Sequence, residues 1–265
     1  MYKFNSKEHI HLWNDKPLMG TSTVLSVIAK PLTWWASGLA VSKLGWTNSK
    51  LKVNGKYVTT PLEDRIKAIE PNLDAIKSMS EREFLNLLDQ AYKAHSEKLS
   101  NSAEAGTGMH SVLEVYVKAK MKGEEAHLEG KLKCFEEWTD KNVESFIFSE
   151  GYCYDEELWI GGISDAGAVL KNGEVAIIDF KSAKDAYSSH FLQDAGYDIQ
   201  MSKNGVFDEN GKLITKLPKE VTQYVVVPFG AETPYPIVVR NVEEMKKGFL
   251  GALQLYKVLN NFENQ

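Results

Sequence analysis

The stretch Gly161-Gly162-Ile163-Ser164-Asp165 and the stretch Asp179-Phe180-Lys181 decide how this chain folds. They lie in two apolar, β-branched runs, residues 158–170 and 174–182, and the Lys171-Asn172-Gly173 turn between the runs is typical of a β-hairpin. Because strand side chains alternate, Asp179 and Lys181 share one face of the second strand. Asp165 lies on the partner strand. The sequence therefore predicts a hairpin that brings two carboxylates and one ammonium group together.

Three charged side chains in otherwise apolar strands form a poor hydrophobic core, since unpaired buried charge is costly. They suit a different purpose, because oxygen ligands with a cation beside them can hold a divalent metal ion. We therefore expect Mg²⁺ or Mn²⁺ here, as one or two ions. Asp165 and Asp179 are the candidate ligands, and Lys181 would orient or deprotonate a water molecule.

Composition limits the remaining possibilities. The 265 residues are 43% hydrophobic and 25% charged, as in a globular chain of one domain or two tightly joined parts. No apolar run approaches the length of a membrane span, and the N-terminus lacks a signal-peptide core, so we expect a cytoplasmic protein without membrane contacts. Two cysteines, Cys134 and Cys153, are too few for a four-cysteine iron–sulfur cluster. The net charge of −5 requires any DNA contact to use a local basic strip.

Two further motifs lie on predicted helices. Gly106-Thr107-Gly108-Met109-His110 leads to Glu114, and residues four apart share a helix face, so His110 and Glu114 would face the same way. Gln193 and Tyr197 have the same spacing on a helix predicted over residues 188–202. Each pair also has a simpler structural explanation. For His110 and Glu114 the alternative is a polar pair on a helix surface or a buried histidine. For Gln193 and Tyr197 it is that the spacing arises by chance.

Together these motifs, in this order, resemble the active-site motifs of PD-(D/E)xK nucleases. The RecB-like branch, with phage exonucleases and mitochondrial genome maintenance exonucleases, is the most similar in pattern, although Ser164-Asp165 stands where the superfamily name has Pro-Asp. The resemblance implies that His110 is a metal ligand, with the Phe180 carbonyl completing the shell and Glu114 close by. It also implies that Gln193 and Tyr197 orient the lysine or contact a DNA phosphate.

The resemblance implies a metal-dependent DNA exonuclease acting on single strands or duplex ends, in a phage or in genome maintenance. The alternatives are an endonuclease or recombination nuclease with a single-strand annealing or binding partner, and a catalytically silent module that binds DNA or protein. Five further residues are candidates for DNA contact: Thr107, Ser182, Lys184, Trp34 and Trp35. For the two tryptophans the alternative is core packing, and for Lys184 it is a solvated surface position.

The order of predicted elements indicates an α/β fold with a mixed central sheet, helices on both faces and the site at one sheet edge. We expect a mostly helical region over residues 1–100 and the nuclease core over residues 101–265. Within the first region, the patterns predict a hairpin over residues 10–18 and a loop over residues 45–56. They also predict separate helices over residues 61–69, 71–78 and 80–99, the last with a Ser80–Glu83 capping box.

Overall fold

The computed structural model describes residues 1–29, 33–46, 50–53 and 56–260, with the backbone alone at 34, 50–53, 56, 57, 99 and 101–107. The chain forms two compact units, one of Met1–Ala29 with Ala105–Gln265 and the other of Lys30–Glu104. Residues 1–29, which we expected in the helical region, thus belong to the unit that contains the core. In the described part of the chain, no helix combines the length and apolarity needed to cross a bilayer.

The first unit begins with short strands that include the expected hairpin. The elements are β1 (Tyr2–Asn5), β2 (Ile10–Trp13), β3 (Lys16–Pro17), β4 (Met19–Gly20), α1 (Thr21–Val24) and a 3₁₀ turn (Leu25–Ile28). Strands β1, β2 and β3 form a small antiparallel sheet in that order. Residues 21–28, which follow this sheet, form a short α-helix continued by a 3₁₀ turn.

The second unit is mainly helical. Its elements are α2 (Thr33–Lys43), β5 (Lys50–Val53), β6 (Lys56–Thr59), α3 (Leu62–Lys77) and the first part of α4 (Glu81–Met121). Strands β5 and β6 pair as a hairpin, where we expected a loop. Helix α3 continues through Pro71, where we expected a break, and α4 is one helix where we expected two. The capping box is present, since the Ser80 N–H donates to Glu83 Oε2 at 2.8 Å and the Glu83 N–H to Ser80 Oγ at 3.4 Å.

The core follows the end of α4. Its elements are a 3₁₀ turn (Gly130–Leu132), α5 (Lys133–Asn142), β7 (Val143–Asp155), β8 (Ile160–Leu170), β9 (Val175–Lys181), α6 (Ser188–Asn204), β10 (Val206–Phe207), β11 (Leu213–Thr215), β12 (Val221–Pro228), β13 (Ile237–Val239) and α7 (Val242–Leu259). The turn between β10 and β11 contains Asn210-Gly211.

One sheet organises these strands in the order β11-β10-β7-β8-β9-β12-β13, and β4 adds to β8. Strands β7, β8 and β9 are antiparallel, β9 and β12 are parallel, and β13 is antiparallel to β12. The expected α/β fold with a mixed central sheet is confirmed. Strands β8 and β9 lie in the middle of this order, so the candidate site lies between two central strands, whereas we expected it at one edge of the sheet.

Alternate side chains of β9 enter separate cores on the two faces of the sheet. Ile177 packs in a cluster with Phe191 of α6 and Phe249 of α7. Ile178 packs in a second cluster with Leu113 of α4. Because both faces are covered, every residue of β9 before Lys181 is buried. Helices on both faces of the sheet are confirmed, and a charged side chain on β9 must find its partners inside the protein.

Candidate active site

The site lies where the two central strands stop pairing. Strands β8 and β9 are paired from Val169 opposite Val175 to Ala166 opposite Ile178. Beyond that point the Asp165 side chain takes the place of a backbone acceptor on β8. Its Oδ2 accepts a hydrogen bond of 2.6 Å from the Phe180 N–H. A hydrogen bond to a charged acceptor is stronger than one between neutral groups, so this contact fixes the carboxylate at the opening of the sheet.

His110 reaches the same carboxylate from α4. Its Nε2 lies 3.0 Å from Asp165 Oδ1, and its ring packs edge-on against Phe180 with centroids 5.8 Å apart. The hydrogen bond with Asp165 raises the pKa of His110, although burial acts in the opposite direction. The structure thus brings together His110 and Asp165, which lie far apart in the sequence.

Asp179 and Lys181 form an ion pair on the second strand. Lys181 Nζ lies 2.7 Å from Asp179 Oδ1, whereas Asp179 Oδ2 is buried and has no hydrogen-bond partner among the described residues. Burial raises the pKa of Asp179 to about 7, and Asp165 acts in the same direction, while Lys181 opposes both. The site therefore holds a carboxylate that is only half satisfied.

Lys181 is surrounded by negative charge. A lysine that removes a proton from water needs a lowered pKa, which a nearby metal ion and burial would both favour. Burial does lower the pKa of Lys181, but the Asp179 and Asp165 carboxylates outweigh it and raise the pKa above its usual value. Lys181 is therefore positively charged. This charge suits it to donate hydrogen bonds and to balance negative charge.

Gln193 and Tyr197 lie on α6, on the sheet face that Asp179 occupies. The Gln193 amide donates a hydrogen bond to the Tyr197 hydroxyl. Burial, followed by the charges of Asp179 and Asp165, raises the pKa of Tyr197 well above its usual value, so the phenol keeps its proton. The two side chains form a neutral polar pair beside the acids.

Sequence reasoning missed Asp194, which lies between those two residues. Its side chain is fully buried, and neither carboxylate oxygen has a hydrogen-bond partner in the part of the chain that is described. Burial, then the charge of Asp179, raises its pKa well above the usual value. A usable indication was present, because Phe191, Asp194, Asp198 and Met201 follow a helical period and place two acids on an apolar stripe.

Glu114 lies in a separate group of charges. Lys118, one turn further along α4, donates to the Glu114 carboxylate, and Lys118 Nζ is also 3.2 Å from Glu150 Oε2. These contacts occupy Glu114 with a lysine rather than with the acids between β8 and β9. Its charge still contributes to raising the pKa of His110.

The other residues that we predicted to contact DNA differ in how exposed they are. Ser182 and Lys184 are exposed just after β9. Trp35, in the second unit, is 38% exposed, so the core-packing alternative for it was wrong. The side chains of Trp34 and Thr107 lie outside the described residues.

A cleft of about 540 Å³ adjoins the Gln193–Tyr197 pair. Gly161 and Gly162 of β8 form part of its wall, opposite the N-terminal segment that carries His11 and Thr21. A Cβ at Gly162 would lie 2.5 Å from Tyr197 Cε1, so only glycine permits this close approach. Among the described residues that line the cleft there is no lysine or arginine, and Gln193 and Tyr197 supply part of its polar surface.

The carboxylate and imidazole side chains at this site are the kinds of donor that a divalent cation requires. Among the described residues, no group of three or more His, Cys, Asp or Glu side chains is already arranged as a metal site. The available donors nevertheless fit a hard cation in kind, since the unpaired buried atoms include one carboxylate oxygen of Asp179 and both of Asp194. His110 and Asp165 stand beside them, already in contact with each other. The Phe180 carbonyl as a ligand stays a prediction.

No protein-family model matches this chain, and no curated protein sequence matches it. The functional conclusion therefore depends on the side chains and their geometry.

Proposed function

We propose that this protein is a Mg²⁺- or Mn²⁺-dependent deoxyribonuclease that removes nucleotides from single-stranded DNA or from duplex ends. One observation carries the proposal. The Asp165 carboxylate, held by His110 and by the Phe180 N–H, stands next to the buried Asp179–Lys181 ion pair where β8 and β9 diverge. Carboxylates, an imidazole and an ammonium group are the residues that metal-assisted phosphodiester hydrolysis uses.

Asp165 and Asp179 would hold the cation, with His110 and the Phe180 carbonyl as further donors. When bound, the metal ion lowers the pKa of a water molecule and offsets the charge of the phosphate. The chain itself supplies a fixed carboxylate at Asp165 and a cation at Lys181. Because Lys181 keeps its proton, its role is to stabilise negative charge that develops on the phosphate oxygens.

Gln193 and Tyr197 would contact the substrate on the cleft side. Both are neutral at physiological pH, and both line the cleft beside the acids. The described lining of the cleft, which is polar but holds no lysine or arginine, suits a base and sugar better than a phosphate, and this favours an unpaired nucleotide over intact duplex. Lys184 and Ser182, exposed after β9, would contact the phosphate backbone.

The test compares DNA forms and variants of this chain. End-labelled linear single strands, linear duplex and circular single strands are incubated with Mn²⁺, Mg²⁺ or EDTA. Wild-type protein should release short products from linear DNA only when metal is present and should leave circles intact. Lys181→Ala and Asp179→Asn should lower the rate at least about 100-fold, the scale of losing one charge-stabilising group.

Lys247→Ala is the matched control, because Lys247 is an exposed lysine of α7 whose ion pair among the described residues is with Glu244. It should keep the wild-type rate, and circular dichroism should show that all three variants fold. Full activity in folded Lys181→Ala would contradict the assignment. Cleavage of circles would favour the endonuclease alternative, and no cleavage of any substrate would favour a silent binding module.

A further inference from the structure

Helix α6 carries two buried acids one turn apart whose surroundings differ completely. Both Asp194 and Asp198 are fully buried. Asp198 is satisfied by three groups, since Ser202 Oγ lies 2.7 Å, Tyr224 OH 2.8 Å and Lys246 Nζ 3.0 Å from its carboxylate oxygens. Asp194 has no hydrogen-bond partner for either oxygen in the described part of the chain. A buried carboxylate without a partner is costly, so this difference needs an explanation.

The charges around Asp194 show which region it faces. Those that act on it are Asp179, Lys181, Asp165 and, one turn along its own helix, Asp198. The first three form the opening between β8 and β9. Asp179 Oδ2, in the same region, also lacks a partner among the described residues. Unpaired oxygens from α6 and from β9 therefore belong to one buried group of acids.

The described side chains do not supply the missing positive charge. Lys181 is bonded to Asp179 Oδ1, and Lys246 is bonded to Asp198. His190, from the first turn of α6, is held neutral because burial and the charge of Lys181 lower its pKa to about 4. His110, the other basic side chain at the site, is already in contact with Asp165, so the unpaired oxygens of Asp179 and Asp194 are left without a partner among the described side chains, and a divalent cation would supply one.

We propose that Asp194 is a third carboxylate ligand of the divalent cation held by Asp165 and Asp179. This inference rests on the proposed metal dependence and extends it to a residue outside the recognised motifs. Asp194 completes the cation site from the helix side of the sheet, while Asp165 and Asp179 approach from the strands. Gln193 and Tyr197, on either side of it in the sequence, then place the substrate cleft directly beside the cation.

Metal binding tests the inference without any measurement of cleavage. Mn²⁺ is titrated into the metal-free full-length chain by isothermal calorimetry, and thermal unfolding is followed with and without Mn²⁺. In wild-type protein Mn²⁺ should raise the unfolding temperature, because a ligand of the folded state stabilises it. Asp194→Asn should weaken Mn²⁺ binding at least about tenfold, since even residues that only orient metal ligands contribute about 10–100-fold.

Asp198→Asn is the matched control, since it changes an equally buried acid on the same helix. It should lower the unfolding temperature of the metal-free protein and leave the Mn²⁺ affinity within about twofold of wild type. Asp194→Ala is measured beside Asp194→Asn, so that either folded variant decides the result. Wild-type affinity in either variant overturns this inference alone, whereas wild-type protein that binds no Mn²⁺ overturns it together with the proposed metal dependence.

Discussion

The main chain of Phe180 holds the side chain of Asp165 in place. The Phe180 N–H donates a 2.6 Å hydrogen bond to one carboxylate oxygen, and the other oxygen lies 3.0 Å from His110 Nε2. A backbone donor cannot change rotamer, so the carboxylate is oriented by the sheet itself. The direction in which β9 diverges from β8 therefore determines the positions of Asp165 and His110.

The Asp165–His110 contact predicts a change in the titration of His110. Removing the charge of Asp165 takes away the main interaction that raises the His110 pKa. Asp165→Asn should therefore lower the His110 pKa, as measured by NMR titration of the imidazole protons in metal-free protein. His127 is the internal control, because Glu136 and Glu125 raise its pKa. An unchanged His110 pKa in folded Asp165→Asn would show that the contact does not exist in solution.

The stability of the metal-free protein should depend on the protonation of Asp179. Folding raises its pKa from the ordinary aspartate value of 3.8 to about 7, because of burial and then Asp165. Between these values the folded protein holds a proton that the unfolded chain has released. Stability from this group is therefore complete below about pH 4 and is lost as the pH rises towards 7, by up to about 1.4 kcal/mol per pH unit.

Urea unfolding with EDTA at pH 5 and pH 7 measures this effect. The wild-type free energy of unfolding should fall more between the two conditions than that of Asp179→Asn, in which the amide has no proton to release. Parallel changes in the two proteins would show that Asp179 has an ordinary pKa.

The close approach at Gly162 predicts a specific sensitivity to a methyl group. In Gly162→Ala the new Cβ would meet Tyr197 Cε1 at 2.5 Å and Thr21 Oγ1 at 2.7 Å. We expect a loss of about 1–3 kcal/mol of stability, as for other overpacked cores, and a lower cleavage rate because Tyr197 moves. Gly251→Ala is the control, since nothing lies within 4 Å of its Cβ position on α7. It should raise stability by up to about 1 kcal/mol through helix propensity. Equal effects of the two substitutions would rule out the crowding at Gly162.

The hydroxyl of Tyr224 should contribute measurably to folding. It donates a 2.8 Å hydrogen bond to buried Asp198. Tyr224→Phe removes that bond alone and should cost about 1.5–3 kcal/mol, the range for hydrogen bonds to charged groups. Tyr235→Phe, at a side chain that is 53% exposed, should be close to neutral in the same chemical denaturation experiment. A neutral Tyr224→Phe would mean that Lys246 and Ser202 satisfy Asp198 without the phenol.

Local periodicity was enough to predict much of the core. The Asn172-Gly173 turn and its flanking apolar runs located the β8–β9 hairpin, and the strand period of two placed Asp179 and Lys181 on one face. The order of the elements from β7 to α7 was sufficient to predict a mixed sheet with helices on both faces. These features follow from spacings within a few residues, which the amino-acid sequence contains directly.

Helix continuity and long-range pairing were decided by tertiary structure. Sequence patterns divided α4 at the Gly-containing segment and α3 at Pro71, yet each is one helix. The sheet order, which makes β8 and β9 central, depends on the parallel pairing of β9 with β12. Packing energy outweighs local propensity in such cases, and the sequence does not state which distant segments meet.

The sequence alone identified four side chains that the structure brings together: His110, Asp165, Asp179 and Lys181. Only the tertiary structure decided their state, because a pKa depends on burial and on charges that come from other elements. Lys181 is a cation because of two nearby carboxylates, and Asp194 has no hydrogen-bond partner in the described part of the chain while Lys246 pairs with Asp198, one turn away on α6. Residue identity is local information, whereas the electric field at a residue is a property of the folded chain.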